Sequence, residues 1–210
     1  MDKKIKEFIE QLATEPDIPN TCNPYNYKLD SNELRRKNLY CYFNEMKRIK
    51  PKILLVGEAP GYRGCRLTGV PFTSEFIMKN GIKSLSLFGD GKGYQLENSE
   101  MKLTKESTAT IFWEIAEKYQ FIPLLWNAFP FHPYKCDDEN SNRAPNKEEL
   151  CLGKKYINTI VEIFQVEKIV AVGNKAEKVL LDCNIATEKI RHPSNGGKLL
   201  FEKGIKEISG

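Results

Sequence analysis

Residues 53–75 read ILLVGEAPGYRGCRLTGVPFTSE, and this stretch decides the fold that the sequence predicts. Its first four residues, 53–56, form an unbroken apolar run, which is typical of a central parallel strand covered on both faces. The glycine-rich segment GEAPG follows at once, at residues 57–61. Because open α/β sheets bind ligands at the carboxyl ends of their strands, this turn is a candidate binding loop. Taken alone, it is equally consistent with a tight connection that carries a solvated Glu58.

The composition is that of a globular protein. The chain has 210 residues, of which 40% are hydrophobic and 29% charged, so one substantial core is expected rather than two. We expect a single domain over residues 1–210, present as a monomer, in which residues 1–50 form a helical extension packed on the rest. No segment approaches the ~20 apolar residues of a membrane span and no signal-peptide core follows the first residues, which predicts a cytoplasmic protein without membrane association. The net charge of +4 permits DNA binding without requiring it.

Helical and extended patterns alternate along the chain. Strands are predicted at 53–56, 122–126, 166–172 and from residue 185, and helices at 2–13, 31–50, 105–119, 145–161, 174–181 and the C-terminus. This alternation predicts an α/β protein, a three-layer α/β/α sandwich with a central four-stranded parallel sheet. Residues 79–104 contain four glycines and little periodicity, and we interpret them as a long irregular loop of the functional or mobile kind.

Three chemically versatile side chains follow predicted strands. Glu58 follows the first strand, Asn127 the second and His192 the fourth. The loops after parallel strands open at the same edge of a sheet, so a carboxylate, an amide and an imidazole are expected to converge there. This convergence is a more specific signal than the GEAPG segment alone.

Five motifs occur in a fixed order along the chain. They are GEAPG, Asn127 after an apolar strand, NRAPNKEEL at 142–150, KIVAVGNKA at 168–176 and HPS at 192–194. In this combination the chain resembles the uracil-DNA glycosylase superfamily, and within it the bacterial and archaeal family 4 group whose first motif is GEAPG. The similarity covers roughly residues 50–208 and implies a uracil-DNA glycosylase-like fold.

The resemblance implies an activity and a role for several residues. The protein would be a monofunctional DNA glycosylase of base excision repair that flips uracil or a related deaminated base out of DNA, hydrolyses its N-glycosidic bond and releases the free base. His192 would donate to a uracil carbonyl, and Glu58 would stabilise the sugar cation and orient water. Asn127 would read the base edge and Phe72 would stack on the base, unless they are a loop amide and a core aromatic. The rest of the base pocket would be Gly57, Ala59, Pro60 and Gly61.

The resemblance also implies contacts with DNA outside the base pocket. A minor-groove loop would be formed by Pro193, Ser194, Asn195 and Gly196. Arg63 and Arg143 would add charge attraction, although either arginine is also consistent with ordinary surface.

Two departures from the family bear on activity. The highly efficient uracil enzymes carry GQDPY, in which the aspartate activates water and the tyrosine rejects the thymine methyl group; Ala59 and Gly61 stand at those positions here. Either Glu58 then activates the water, or hydrolysis is slow. Two alternatives therefore stay open: a weak or inactive nucleic-acid-binding protein of the same fold, and a glycosylase for another base such as hypoxanthine or xanthine.

The cysteines do not form the set that the GEAPG group uses. That group usually holds an iron–sulfur cluster through a C-x2-C pair and two later cysteines. Cys136 and Cys151 fall where the later pair would be, and Cys41 could add a ligand, but no cysteine stands three residues after Cys22. We expect reduced cysteines, no cluster and no metal site. His132, the other histidine, could line the pocket, contact DNA or form its hydrogen bonds within its own loop.

Overall fold

The computed structural model describes residues 2–97 and 102–210. Within them the helices are α1 (Lys3–Thr14), α2 (Asn32–Ile49), α3 (Cys65–Thr68), α4 (Glu75–Asn80), α5 (Ser107–Lys118), α6 (Lys147–Phe164), α7 (Asn174–Asp182) and α8 (Lys198–Ile208). The strands are β1 (Thr21–Cys22), β2 (Ile53–Gly57), β3 (Leu124–Asn127), β4 (His132–Pro133), β5 (Lys168–Val172) and β6 (Glu188–Ile190). Four of them form a parallel sheet in the order β3-β2-β5-β6, which confirms the predicted sheet. The other two strands, β1 and β4, pair antiparallel.

Helices cover both faces of the sheet. Successive residues of a strand point to opposite faces, and the last two residues of β3 show which helices lie on each. Trp126 packs against Phe8 of α1, with ring centroids 5.4 Å apart. Asn127 points the other way, toward Phe72, whose ring lies 5.7 Å from that of Phe112 in α5. The predicted three-layer arrangement is confirmed.

The first fifty residues pack against the sheet and cover one of its edges. Helix α1 buries Ile5, Phe8 and Leu12. Strand β3 is an edge strand, and the Leu125 N–H on it donates to the hydroxyl oxygen of Tyr42 in α2 at 2.8 Å. Because an exposed edge strand invites pairing with another chain, this contact closes off part of that edge. In the part of the chain that the structure describes, no helix has both the length and the apolar character needed to cross a bilayer.

Each of the four predicted strands differs from the observed one at one end or both, and two of these differences are informative. The strand expected at 122–126 begins at Leu124 and extends to Asn127. The strand expected from Ile185 begins only at Glu188, because the Ile185 N–H donates to the Leu180 carbonyl at 2.8 Å and closes the end of α7. The first difference matters for function, since Asn127 belongs to the sheet and not to the loop after it.

The segment 79–104 is packed over its first part, in contrast to the irregular loop that we predicted. Ile82 and Leu87 form an isolated β-bridge around a 3₁₀ turn at Lys83–Leu85. Leu85, Leu87 and Phe88 are buried in the core. Their apolar side chains follow neither helical nor strand spacing, which is why periodicity missed them. Residues 98–101, which the same prediction included, lie outside the described residues.

Candidate active site

A cavity of about 230 Å³ opens at the carboxyl edge of the parallel sheet. It brings together Glu58 from the loop after β2, Asn127 at the end of β3 and His192 from the loop after β6. All of the residues predicted for the base pocket also line it: Gly57, Ala59, Pro60, Gly61 and Phe72. The cavity is smaller than the ~300–1,000 Å³ typical of sites for drug-sized ligands, so its size suits a small planar molecule.

Asn127 presents a buried amide to this cavity. It is the last residue of β3 and lies opposite Gly57 in the parallel ladder. Only 6% of its surface is exposed, yet its amide forms no hydrogen bond with any residue that the structure describes. Among the described residues, the buried side-chain polar atom without a partner is Nε1 of Trp126, so the amide atoms of Asn127 are accessible from the cavity and can bind a ligand there.

The absence of a side chain at Gly57 leaves the space that this amide occupies. A Cβ atom at residue 57 would lie 2.8 Å from Oδ1 of Asn127 and 2.9 Å from Cζ of Phe72. Both groups therefore lie directly over the glycine, and no larger residue fits there without moving one of them.

Phe72 belongs to the core and to the cavity wall at once. Its ring packs against Phe112, and its carbonyl accepts a hydrogen bond from Nε1–H of Trp113 at 2.8 Å. Its φ of 51° is in the left-handed region, which costs a non-glycine residue roughly 1–2 kcal/mol. The hydrogen bond and the ring contact hold the backbone in this conformation. The structure places Phe72 against the core and in the cavity wall, and its stacking on a base stays a prediction.

His192 has a defined hydrogen-bonding state. The Ser194 N–H lies 3.2 Å from Nδ1 and donates to it, so a neutral ring carries its hydrogen on Nε2. Burial lowers the pKa of His192 below the usual 6.5; the carboxylate of Glu106 opposes this shift, and the charges of Arg191 and Lys175 add to it. At neutral pH the ring is therefore a neutral donor at the cavity.

This lowered pKa predicts a loss of stability in acid. The unfolded chain takes up a proton at His192 near pH 6.5, whereas the folded chain does so only at lower pH, so the free energy of unfolding falls as the pH drops below about 6.5. We expect the melting temperature to fall more between pH 7.5 and pH 5.5 in the wild type than in His192→Gln, measured by circular dichroism. Equal decreases in the two proteins would contradict the prediction.

Glu58 lies at the rim of the cavity. Its Oε2 is 3.3 Å from Nζ of Lys175, and 28% of its side chain is exposed. Its carbonyl accepts a hydrogen bond from the Phe129 N–H at 3.0 Å, which ties the GEAPG loop to the loop after β3. An ion pair this exposed adds little stability, so its main effect is to orient the carboxylate.

The sequence did not point to a second carboxylate in the cavity wall. Glu106 precedes α5 and caps it, since Oε1 and Oε2 accept hydrogen bonds from the N–H groups of Thr108 at 2.9 Å and Ala109 at 2.6 Å. Glutamate is not among the preferred N-cap residues, so the sequence signal was weak. Thr108 and Asn142 also line the cavity and were not predicted.

A sequence model of the uracil DNA glycosylase superfamily matches residues 43–204, which is more than half of the chain. The chain belongs to the uracil DNA glycosylase superfamily. Its structure is similar to the crystal structure of wild-type SMUG2 from Pedobacter heparinus, with a TM-score of 0.63 over 99% of this chain and 97% of that chain. The two sequences are 16% identical, so this likeness concerns the fold. The search of curated proteins found no match.

In this superfamily member the loop predicted to enter the minor groove follows His192. Pro193 is buried, whereas Asn195 and Gly196 are exposed, and the hydroxyl of Ser194 lies 2.7 Å from Nδ1 of His192. Directly after this loop, at the start of α8, Leu199 and Leu200 are 79% and 61% exposed. These leucines were not among the predicted site residues.

The two arginines predicted to contact DNA differ in their surroundings. Arg63 is exposed, with its guanidinium 5.1 Å from the centroid of the Tyr62 ring. Arg143 lines the cavity, but its guanidinium donates to both oxygens of the buried Glu149, at 2.6 and 2.8 Å. Its charge is thus compensated within the protein, and a DNA contact by Arg143 stays a prediction.

The cysteines of this glycosylase-superfamily chain do not fit an iron–sulfur cluster. Among residues 2–97 and 102–210, no group of three or more His, Cys, Asp or Glu side chains could hold a metal ion. Cys136 and Cys151 are exposed, whereas Cys22 and Cys41 are partly buried. A four-thiolate cluster needs converging ligands, which these residues do not provide.

His132 contacts the GEAPG loop and is not among the residues that line the cavity. It is fully buried, and its two ring nitrogens lie 2.8 Å from the Pro60 carbonyl oxygen and 3.0 Å from the Glu139 carbonyl oxygen. Of the roles that the sequence left open, the structure shows a buried histidine held between two loop carbonyls, and a neutral ring donates to one of them.

Proposed function

We propose that this protein is a monofunctional DNA glycosylase that flips uracil or a related deaminated base out of DNA and hydrolyses its N-glycosidic bond. The observation that carries the proposal is the amide of Asn127, which has no hydrogen-bond partner among the described residues and is accessible in the cavity that His192 also lines. An amide offers an acceptor and a donor, which match the ring N–H and the neighbouring carbonyl of uracil. Cytosine presents the reverse pattern at the same two atoms.

His192 stabilises the charge that develops on the base. When the bond between C1′ and the base nitrogen breaks, the base leaves as an anion whose charge resides largely on its carbonyl oxygens. The Nε2–H of a neutral His192 donates to one of these oxygens. A donor fixed in place before the reaction, as this one is by Ser194, stabilises that charge without reorganisation.

Glu58 acts on the sugar side of the bond. Its carboxylate stabilises the oxocarbenium-like sugar and orients the water molecule whose oxygen bonds to C1′. The proton of that water leaves to solvent, and the departing base anion takes a proton from solvent. Ala59 offers no second carboxylate next to Glu58, so we expect slower hydrolysis than in enzymes with an aspartate at this position.

Base flipping explains the exposed leucines. Turning a base out of a duplex costs a few kcal/mol, and inserted apolar side chains can fill the gap and support the bend. Leu199 and Leu200 follow the loop at 193–196 and are suited to this role. Phe72 would stack on the base inside the cavity, a contact worth ~1–3 kcal/mol.

The test is base release from defined oligonucleotides. The protein is incubated, in excess, with single- and double-stranded DNA that contains one uracil, hypoxanthine or xanthine, and abasic products are cleaved and resolved on a gel. We expect release of at least one of these bases, and a roughly 10²–10⁴-fold slower reaction for Glu58→Gln. No release of any of these bases would refute the proposal.

The same experiment separates two alternatives. Ala59 favours a protein of this fold that binds DNA without cutting the bond, which predicts tight binding to uracil or abasic DNA that Glu58→Gln leaves unchanged. A protein that releases hypoxanthine or xanthine but not uracil would have another deaminated base as its substrate.

A further inference from the structure

A second groove shares Glu58 with the cavity. Its volume is about 640 Å³, and it lies between the first turn of α6 and the length of α7, from Lys175 to Asp182. We call it the lysine groove and define it by Glu58, Pro145, Lys147, Leu150, Lys175 and Lys178. Glu58 lines both the cavity and the lysine groove, so the two spaces adjoin.

The described lining of the lysine groove holds three lysines and two carboxylates, which leaves a net charge of +1. Lys147 and Lys178 are exposed and form no ion pair with any residue in 2–97 or 102–210. Lys175 is paired with Glu58, and Asp182 is the other acidic residue of the described lining.

Two helix N-termini add to this potential. Helix α6 begins at Lys147 and α7 begins at Asn174, and the N-terminal end of a helix carries a partial positive charge. Of the two acidic residues in the first turn of α6, Glu149 is paired with Arg143, whereas Glu148 is exposed and offsets part of this potential. The edges of the groove therefore suit an anion.

The floor of the groove is apolar. It is lined by Pro145, Leu150 and Val179, and no aromatic side chain is among its described lining residues. Such a surface accepts the faces of a sugar or base without selecting a sequence. Lysines above an apolar floor match the chemistry of a nucleic-acid strand, which alternates charged phosphates with less polar sugars and bases.

We propose that the lysine groove binds the substrate strand next to the flipped nucleotide, with Lys147 and Lys178 each contacting a phosphate. This rests on the proposed function, because that function places the sugar at Glu58. A strand attached to a sugar at Glu58 must leave the cavity on one side or the other, and the lysine groove begins at that residue. The ligand class is a phosphodiester strand continuous with the damaged nucleotide.

The first test measures the salt dependence of binding. The probe is a single-stranded oligonucleotide that contains a tetrahydrofuran abasic analogue, so no chemistry is required. Each phosphate contact contributes ~0.7 to the slope of log K against log salt for a single strand, so we expect the slope for Lys147→Gln/Lys178→Gln to be smaller by roughly 1.4. An unchanged slope would overturn the proposal.

A matched variant controls for net charge. Lys83→Gln/Lys206→Gln removes the same two charges from exposed lysines that line neither the cavity nor the groove and that form no ion pair with described residues. It is expected to keep the wild-type slope. A decrease equal to that of the groove variant would show a general charge effect and overturn the proposal.

The second test locates the contacts. Neutral methylphosphonates replace, one at a time, the two phosphates on each side of the abasic analogue. The wild type is expected to lose affinity at one or more of these positions, and the groove variant to be insensitive there. Equal sensitivity of both proteins at every position would overturn the proposal.

These outcomes separate the groove from the catalytic proposal. If the wild type shows the expected slopes but releases no base, the groove proposal is supported and the glycosylase proposal is refuted. If the wild type releases a base and the groove variant keeps the full slope, only the groove proposal is refuted. Failure of the wild type to bind the probe refutes the groove, while base release alone decides the glycosylase.

Discussion

Asn127→Asp is expected to lower the rate of uracil release by roughly 10²–10³-fold while the protein stays folded, as for the loss of one fixed donor in other anion-stabilising sites. The substitution replaces the amide donor with a second acceptor, so the base carbonyl meets a carboxylate. The side chain keeps its size over Gly57, so the packing there is retained. Single-turnover release of uracil from DNA measures the effect, and thermal melting measures stability.

Asn142→Asp is the matched control for this prediction. Asn142 lines the same cavity, but it is exposed, and its Oδ1 accepts a hydrogen bond from the Tyr62 N–H at 3.2 Å, which an aspartate can also accept. We expect little change in its rate. If Asn127→Asp instead lowered the melting temperature strongly and left the rate unchanged, the amide would have a structural role and not a base-reading one.

Gly153→Ala is expected to destabilise the fold by about 3 kcal/mol. Gly153 lies inside α6, and a Cβ there would lie 1.7 Å from the carbonyl oxygen of Ala128 and 2.8 Å from its carbonyl carbon. Both atoms belong to the backbone, so no side chain can rotate away. Helix propensity alone predicts the opposite, a gain of roughly 0.5–1 kcal/mol on replacing a helical glycine with alanine. The sign of the change in urea-unfolding free energy therefore decides which effect dominates.

Asn158→Ala provides the comparison on the same helix. Asn158 is exposed, so alanine there changes propensity without a clash and is expected to be neutral or slightly stabilising. Gly153→Ala as stable as Asn158→Ala would show that α6 moves away at little cost. Because Ala128 follows Asn127 directly, Gly153→Ala is also expected to reduce activity at temperatures where it remains folded.

The sheet and the convergence of the site could be predicted from the sequence. The apolar run at 53–56 and the alternation after it predict a parallel sheet, and a parallel sheet puts its loops at one edge. That argument alone placed Glu58 and His192 in one cavity. It succeeds because the position of a loop is set by strand direction and does not depend on side-chain detail.

Other features depend on contacts that local patterns do not encode. Glu106 enters the cavity because it caps α5, and the left-handed backbone of Phe72 is held by Trp113. The antiparallel pairing of β1 with β4 joins residues more than a hundred positions apart in two-residue strands, too short for any periodicity. The buried state of Leu87 and Phe88 likewise depends on tertiary packing.

The polar groups of the cavity are carried by separate loops on a common sheet, and this arrangement bears on how such proteins diverge. Under the roles proposed above, a substitution in the GEAPG loop is expected to alter the sugar side, one at the end of β3 to alter base selection, and one after β6 to alter leaving-group support. Ancestral lineages could therefore acquire new lesion preferences in single steps, without passing through an unfolded intermediate.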